Sequence, residues 1–188
     1  MINKILTIPE FSLVMLVGVS GAGKTTFARK NFLPTQVLTS DKFRAMVSDD
    51  ENCMEASHDA FEVLYSVAQK RLSRRLITVI DATNIQDYGR RRLLDFAQEY
   101  GASPVAIVLN IPEDICIERT LRRADRPIPL DILHQHLREF RETLEIIPTE
   151  GFHFIYILDG QEEAETALVS ISSPEFAPVE EVGARLCQ

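Results

Sequence analysis

Cysteine is scarce and dispersed. Cys53, Cys116 and Cys187 are the three in 188 residues, and no CxxC or other metal-type spacing occurs. That excludes a disulfide framework and a cysteine-built zinc site, and it suits a reducing compartment. Long apolar runs are missing as well. The longest, Phe11–Val19, is too short to span a bilayer. Pro9 and Glu10 interrupt its approach and no small-residue cleavage site follows, so it does not read as a signal peptide. A cytoplasmic protein without a membrane partner is expected. No internal repeat or low-complexity tract is found. Excess positive charge is also lacking: the net charge is −8, which argues against coating long nucleic acid nonspecifically.

What remains is an ordinary globular composition, 45% apolar and 26% charged, of a length that suits one domain with a real core. The acid is unevenly spread. Between Asp159 and Gln188, seven acidic residues face one basic residue, which leaves −6 there and only −2 in residues 1–158. Residues 1–160 are therefore expected to form the working domain. Residues 161–188 are expected to be an acidic, partly disordered C-terminal extension, with one short element over Glu162–Ile171.

Short runs rich in Val, Ile and Leu alternate with longer amphipathic stretches. Leu13–Val17, Gln36–Thr39, Leu76–Ile80, Val105–Leu109 and Phe154–Leu158 read as strands. Their continuous apolar character suits a parallel sheet covered on both faces. Helices are expected over Lys24–Asn31, Ser57–Arg75, Asp87–Tyr100, Pro112–Asp125 and Leu130–Ile147, with Gly101 closing the third. The alternation predicts an α/β fold.

Gly18-Val19-Ser20-Gly21-Ala22-Gly23-Lys24-Thr25 matches GxxxxGK[ST] between an apolar strand and a helix. This is the phosphate-binding loop, or P-loop, in its required context. Its glycines let backbone N–H groups turn inward around phosphate oxygens, and the helix N-terminus adds partial positive charge. Gly18, Ser20, Gly21, Ala22, Gly23, Lys24, Thr25 and the following Thr26 are the candidate NTP-binding residues. Lys24 would reach the β- and γ-phosphates, and Thr25 would hold Mg²⁺. Asp81, directly after the third strand, is placed as a second metal ligand or as a turn residue, and Asp81-Ala82-Thr83-Asn84 has room for both roles.

No [NT]KxD guanine-reading sequence occurs, so the loop points toward a kinase. A kinase needs a base and an acceptor-positioning group. Asp41 ends the second strand, at the carboxyl edge where ligands of open α/β folds bind. Arg44 follows at i+3, on the same patch if a helix starts there. The carboxylate can take a hydroxyl proton and the guanidinium can grip an anion. By spacing alone, Asp41 serves equally as an N-cap and Arg44 as a surface residue.

Arg119, Arg122, Arg123 and Arg126 fall at i, i+3, i+4 and i+7, opposite Ile117, Leu121 and Ala124. Four arginines on one helical face repel each other. They make sense over a phosphoryl group, or as a plain solvated face. Arg90, Arg91 and Arg92 occupy a helix start, where the macrodipole disfavours cations. Either an anion lies nearby or their stems cover the core edge. The four histidines read as structural or surface residues.

The P-loop, Ser40-Asp41-x-x-Arg44, Val47-Ser48-Asp49-Asp50-Glu51-Asn52, Asp81-Ala82-Thr83-Asn84 and Arg119-x-x-x-Arg123-x-x-Arg126 together resemble the N-terminal kinase module of bacterial polynucleotide kinase–phosphatase. The likeness runs from about Thr7 to Asp159. It implies an adenylate-kinase-like, three-layer P-loop fold, with a five-stranded parallel sheet ordered 2-3-1-4-5 and an arginine-bearing lid. The implied activity is ATP- or NTP-dependent transfer of the γ-phosphate, with Mg²⁺, to the 5′-hydroxyl end of RNA or DNA in nucleic-acid repair. Asp41 would be the general base and Arg44 would hold the phosphate next to the 5′ nucleoside. Arg119 and Arg123 would lie over the NTP phosphates, with Arg126 near the nucleobase. The implied partners are a 5′-OH polynucleotide and phosphatase, ligase or RNA-methyltransferase components. In that family the other modules follow the kinase, so this chain is expected to be a free-standing kinase or a piece of a larger enzyme. The same fold also serves zeta-toxin-like kinases of small metabolites and non-catalytic NTP-binding switches, and these remain the alternatives.

Overall fold

The computed structural model describes residues 4–123 and 128–172. Five strands form one parallel sheet: β2 (Ser12–Val17), β3 (Val37–Thr39), β4 (Thr78–Asp81), β5 (Ser103–Asn110) and β6 (Phe154–Asp159). Their spatial order is β3-β4-β2-β5-β6. In terms of the five strands read from the sequence, that is the expected 2-3-1-4-5. Every residue of β2 and β4 is buried, as a central parallel strand covered on both faces requires.

The connections are helical. They are α1 (Lys24–Asn31), α2 (Ser40–Ser48), α3 (Ser57–Leu72), α4 (Asp87–Tyr100), α5 (Glu113–Leu121), α6 (Leu130–Ile146) and α7 (Gly160–Thr166). Gly101 closes α4 in the left-handed conformation, at φ 69°, as its position predicts. The α6 stripe of Leu133, Leu137 and Phe140 is buried.

The structure departs from the sequence reading in two places. First, a separate two-stranded parallel sheet pairs β1 (Ile5–Pro9) with β7 (Leu168–Ser172). Leu6 and Ile8 are fully buried while Ile5 is exposed, a period-two pattern only five residues long. The partner strand lies some 160 residues away in the chain, so no hairpin signal marks the pairing. The acidic segment after Asp159 thus supplies two elements, α7 and β7, where one was expected. Second, the expected helix Pro112–Asp125 is described only over Glu113–Leu121, with Arg122 closing it. Its buried face carries Cys116 and Thr120, while Leu121, expected inside, is 58% exposed. Residues 124–127, with Arg126, and 173–188 lie outside the described residues. Among the described residues no helix is long and apolar enough to cross a membrane.

Candidate active site

The P-loop joins the carboxyl end of β2 to α1. Gly23, the residue before α1, is left-handed at φ 92°, and the helix starts with no side-chain cap. Its first N–H groups therefore point into the loop, where an anion can satisfy them. Gly21, at φ 83°, packs directly on α5. A β-carbon there would sit 2.4 Å from the Cys116 carbonyl oxygen and 2.8 Å from the Thr120 hydroxyl. Only glycine fits, and the contact fixes the loop against the helix that carries Arg119. Lys24 is buried, and its ammonium donates to the Val19 carbonyl across the loop at 2.8 Å. Cys116 beneath it is an inert thiol: burial pushes its pKa up to about 11.

Asp81 is 3% exposed and pairs in register with Leu16 of β2 and Thr39 of β3. One carboxylate oxygen accepts from the Thr25 hydroxyl at 2.9 Å and from the Thr39 hydroxyl at 3.3 Å. The turn role in this segment belongs to Asn84. It is left-handed at φ 49°, and its amide donates to the Leu16 carbonyl at 2.7 Å and the Ile80 carbonyl at 3.2 Å. Gly18 N–H adds a bond to the Thr83 carbonyl at 3.0 Å. The P-loop and the end of β4 are therefore one braced unit.

Asp41 and Arg44 lie on the first turns of α2, beside that unit. Thr39, not Asp41, is the N-cap residue, and Arg44 is 8% exposed, so neither takes the surface role that spacing left open. Arg44 pairs with the Asp41 carboxylate and donates from Nε to the Glu51 carbonyl at 2.8 Å. It thereby ties α2 to the acidic segment after it. A cleft of about 320 Å³ joins the two halves, lined among others by Thr25, Arg29, Thr39, Asp41 and Asp81.

A second cleft, of about 370 Å³, opens on the other side of the loop. Gly23, Thr26, Lys30, Arg119, Arg123 and Glu165 are among its lining residues. Arg119 and Arg123 thus share this cleft with the P-loop. A continuous helical face of four arginines is not formed among the described residues, because α5 ends at Leu121. Arg119 contacts Glu165 of α7 at 3.3 Å, and Arg122 pairs with Glu118 at 2.5 Å. The arginines opening α4 resolve differently. Arg90 is fully buried and holds Glu150 through two bonds of 2.6 Å. Arg91 pairs with Asp87 at 2.9 Å, and Arg92 lies over the Tyr65 ring.

Two residues that bear on the site were not singled out as candidates in the sequence. Thr120 and Glu165 reach it only through folding. His136 lies on α6 beside the buried Leu133, Leu137 and Phe140. Burial and the nearby Lys24 charge lower its pKa, against an opposing pull from Glu139.

A braced P-loop, a buried carboxylate beside its threonine and an Asp–Arg pair at the same sheet edge define a P-loop protein of kinase fold. Residues 13–147 match the AAA domain family, and the chain belongs to that family. Its fold is similar to that of a chain in the Pnkp1/Rnl/Hen1 RNA repair complex, at a TM-score of 0.62 and 24% identity over 73% of this chain. This protein spans about half, 46%, of that chain's length. It is also similar to shikimate kinase from Acinetobacter baumannii in complex with shikimate, at a TM-score of 0.52 and 22% identity, covering 82% of this chain and 87% of that one. Kti12 from Chaetomium thermophilum in complex with ADP-AlF3 is a third, at 0.61 and 16%, covering 81% and 93%.

Proposed function

We propose that the chain is a polynucleotide 5′-hydroxyl kinase, using ATP or another NTP as donor. The observation that carries this reading is the Arg44-braced Asp41 carboxylate in one cleft with Thr25 and Asp81. In this reading the P-loop N–H groups and Lys24 hold the NTP phosphates. Asp41 takes the proton of the 5′-hydroxyl as its oxygen attacks the γ-phosphorus. The bond from that phosphorus to the bridging oxygen breaks and the nucleoside diphosphate leaves. Arg119 and Arg123 offset the charge that builds on the transferring group, and on the family resemblance Arg126 serves the nucleobase. Arg44 fixes Asp41 and, on the family resemblance, contacts the adjoining phosphate.

The Thr25 hydroxyl and the Asp81 carboxylate are hard oxygen donors set side by side, and this set suits Mg²⁺, which prefers few protein ligands and several phosphate or water oxygens. Bound there, Mg²⁺ would neutralise phosphate charge. We further propose that residues 1–160 carry the kinase and that 161–188 form its acidic extension. The protein would work in the cytoplasm with phosphatase, ligase or RNA-methyltransferase partners.

The test is transfer of labelled γ-phosphate to a 5′-OH oligoribonucleotide. Wild type should label it, and Asp41→Ala should not, with NTP binding retained. Full activity in Asp41→Ala removes the base from the mechanism. A second reading, a kinase of a small hydroxylated metabolite, is favoured by the likeness to shikimate kinase over 87% of that chain. Turnover of such a compound that ignores salt, with no transfer to oligonucleotides, would select it, since a polynucleotide held by arginines binds worse as salt rises.

A further inference from the structure

The cleft that holds Asp41 is lined by two unlike sets of side chains. Phe32, Pro34 and Val37 are apolar, while Arg29 and Lys42 are cations. Phe32 is buried, whereas Arg29 and Lys42 are exposed, so the cations stand at the mouth of the cleft and not on its floor. Arg29 lies in the last turn of α1 and Lys42 in the first turn of α2. Two helices thus bring one cation each to the same opening. The fold itself uses neither. Lys30, next to Arg29, donates to the carbonyls of Glu165 and Ala167 at 2.6 and 3.4 Å. Among the described residues, Arg29 and Lys42 make no hydrogen bond or ion pair. Asp41, the carboxylate next to Lys42 in the chain, is engaged by Arg44. Position sharpens the case for Lys42. A cation in the last turn of a helix suits the macrodipole, but one in the first turn opposes it. Lys42 therefore opposes the α2 dipole without a protein partner to offset the cost.

The cleft also holds the carboxylates of Asp41, Asp81 and Glu51. It is therefore no general anion trap, and phosphate is favoured only where the two cations stand. Cations beside an apolar lining suit a ligand that is anionic along one edge and apolar along the other. The ligand must also reach the mouth while its hydroxyl lies at Asp41. A nucleic-acid strand meets both conditions, with phosphates on one edge and bases on the other. A small hydroxylated metabolite held around Asp41 would leave both cations unused. We infer that Arg29 and Lys42 hold the acceptor phosphates beyond the one next to the 5′ nucleoside, while the apolar lining takes its terminal bases. The protein would then favour an end that belongs to a strand over a mononucleotide. This rests on the polynucleotide kinase reading above.

The experiment measures kcat and KM over a series of 5′-OH acceptors. The series starts with a nucleoside 3′-phosphate, which has one phosphate, and runs through short oligoribonucleotides to one of about ten nucleotides. In wild type KM should fall about tenfold along the series, as two exposed charge contacts would give together. The steepest steps should come where the second and third phosphates are added. Arg29→Gln and Lys42→Gln should each raise KM for the longer acceptors about two- to fivefold, and the double variant should flatten the series. Each single variant should also reduce the slope of log KM against log salt by about 0.7, the value of one phosphate contact on a single strand. The kcat at saturating acceptor and the Kd for NTP should not move, and Arg29→Lys, which keeps the charge, should keep most of the length dependence. A length dependence and salt slope that survive in the double variant overturn the inference and leave the kinase reading standing, as does a flat series in wild type. Absence of transfer to every member of the series by wild type overturns both.

Discussion

Arg90 and Arg119 both sit on helices beside the carboxyl edge of the sheet, and both offend a local rule. Arg90 is a cation in the first turns of α4, and Arg119 belongs to a crowded like-charge run on α5. The fold resolves the two offences in opposite ways. Arg90 is buried completely and saturated from within: Glu150 takes it in two bonds of 2.6 Å, and the Asn84 carbonyl accepts a third at 2.9 Å. Arg119 stays one-third exposed and meets, at 3.3 Å, the carboxylate of Glu165, which is itself more than half exposed. A guanidinium that the protein satisfies fully is part of the structure. One that it holds at the P-loop with a weak partner is, on the proposed reading, kept for a ligand.

The sharpest test of that contrast is Arg90→Ala. Removing one partner of a buried pair leaves Glu150 uncompensated and should cost about 3–5 kcal/mol in denaturant unfolding. Part of the activity loss should follow from unfolding alone, because the Asn84 carbonyl and the turn after Asp81 lose their brace. Arg119→Ala should do the reverse. Its unfolding free energy should stay within about 0.5 kcal/mol of wild type, while phosphoryl transfer falls about 100-fold. Equal stability losses in the two variants would break the contrast. Gly21→Ala comes next in size, since the new β-carbon would press on the Cys116 carbonyl at 2.4 Å in a left-handed backbone. Overpacking of this kind should cost about 1–3 kcal/mol. It should also weaken NTP binding measured by titration, because the loop and the Arg119 helix would be pushed apart.

The same contrast explains what could be read in the sequence. The P-loop, the strand order and the closure of α4 at Gly101 follow from local patterns: spacing, apolar runs and a left-handed glycine. Their positions at the sheet edge were legible for Asp81, the last residue of β4, and for Asp41, which falls two residues past β3 in the first turn of α2. The fate of Arg90 was not, since Glu150 lies 60 residues on and nothing local marks the pair. The β1–β7 sheet failed for the same reason, with its two halves at opposite ends of the described chain. The helix that carries the arginines was read too long, and Arg126 lies outside the described residues. Periodicity continued the helix to Asp125, whereas the helix closes at Leu121, and its buried side is chosen by contact of Cys116 and Thr120 with Gly21.

The smallest effect belongs to Glu165→Gln. Glu165 is 58% exposed at its side chain and Arg119 33%, so the pair should contribute under about 1 kcal/mol to stability. Its consequence is competitive. Without NTP the carboxylate shares Arg119's charge, and a phosphate arriving at the same guanidinium must displace it. Neutralising Glu165 should tighten NTP binding by about two- to fivefold, as a Kd measured by titration. The gain should shrink as salt rises, because salt weakens ion pairs between side chains this exposed. A variant that instead loses more than about 1 kcal/mol of stability, with unchanged NTP affinity, would place Arg119 with Arg90 among the structural arginines. The distinction between a satisfied and a waiting guanidinium would then fail at the residue on which it chiefly depends.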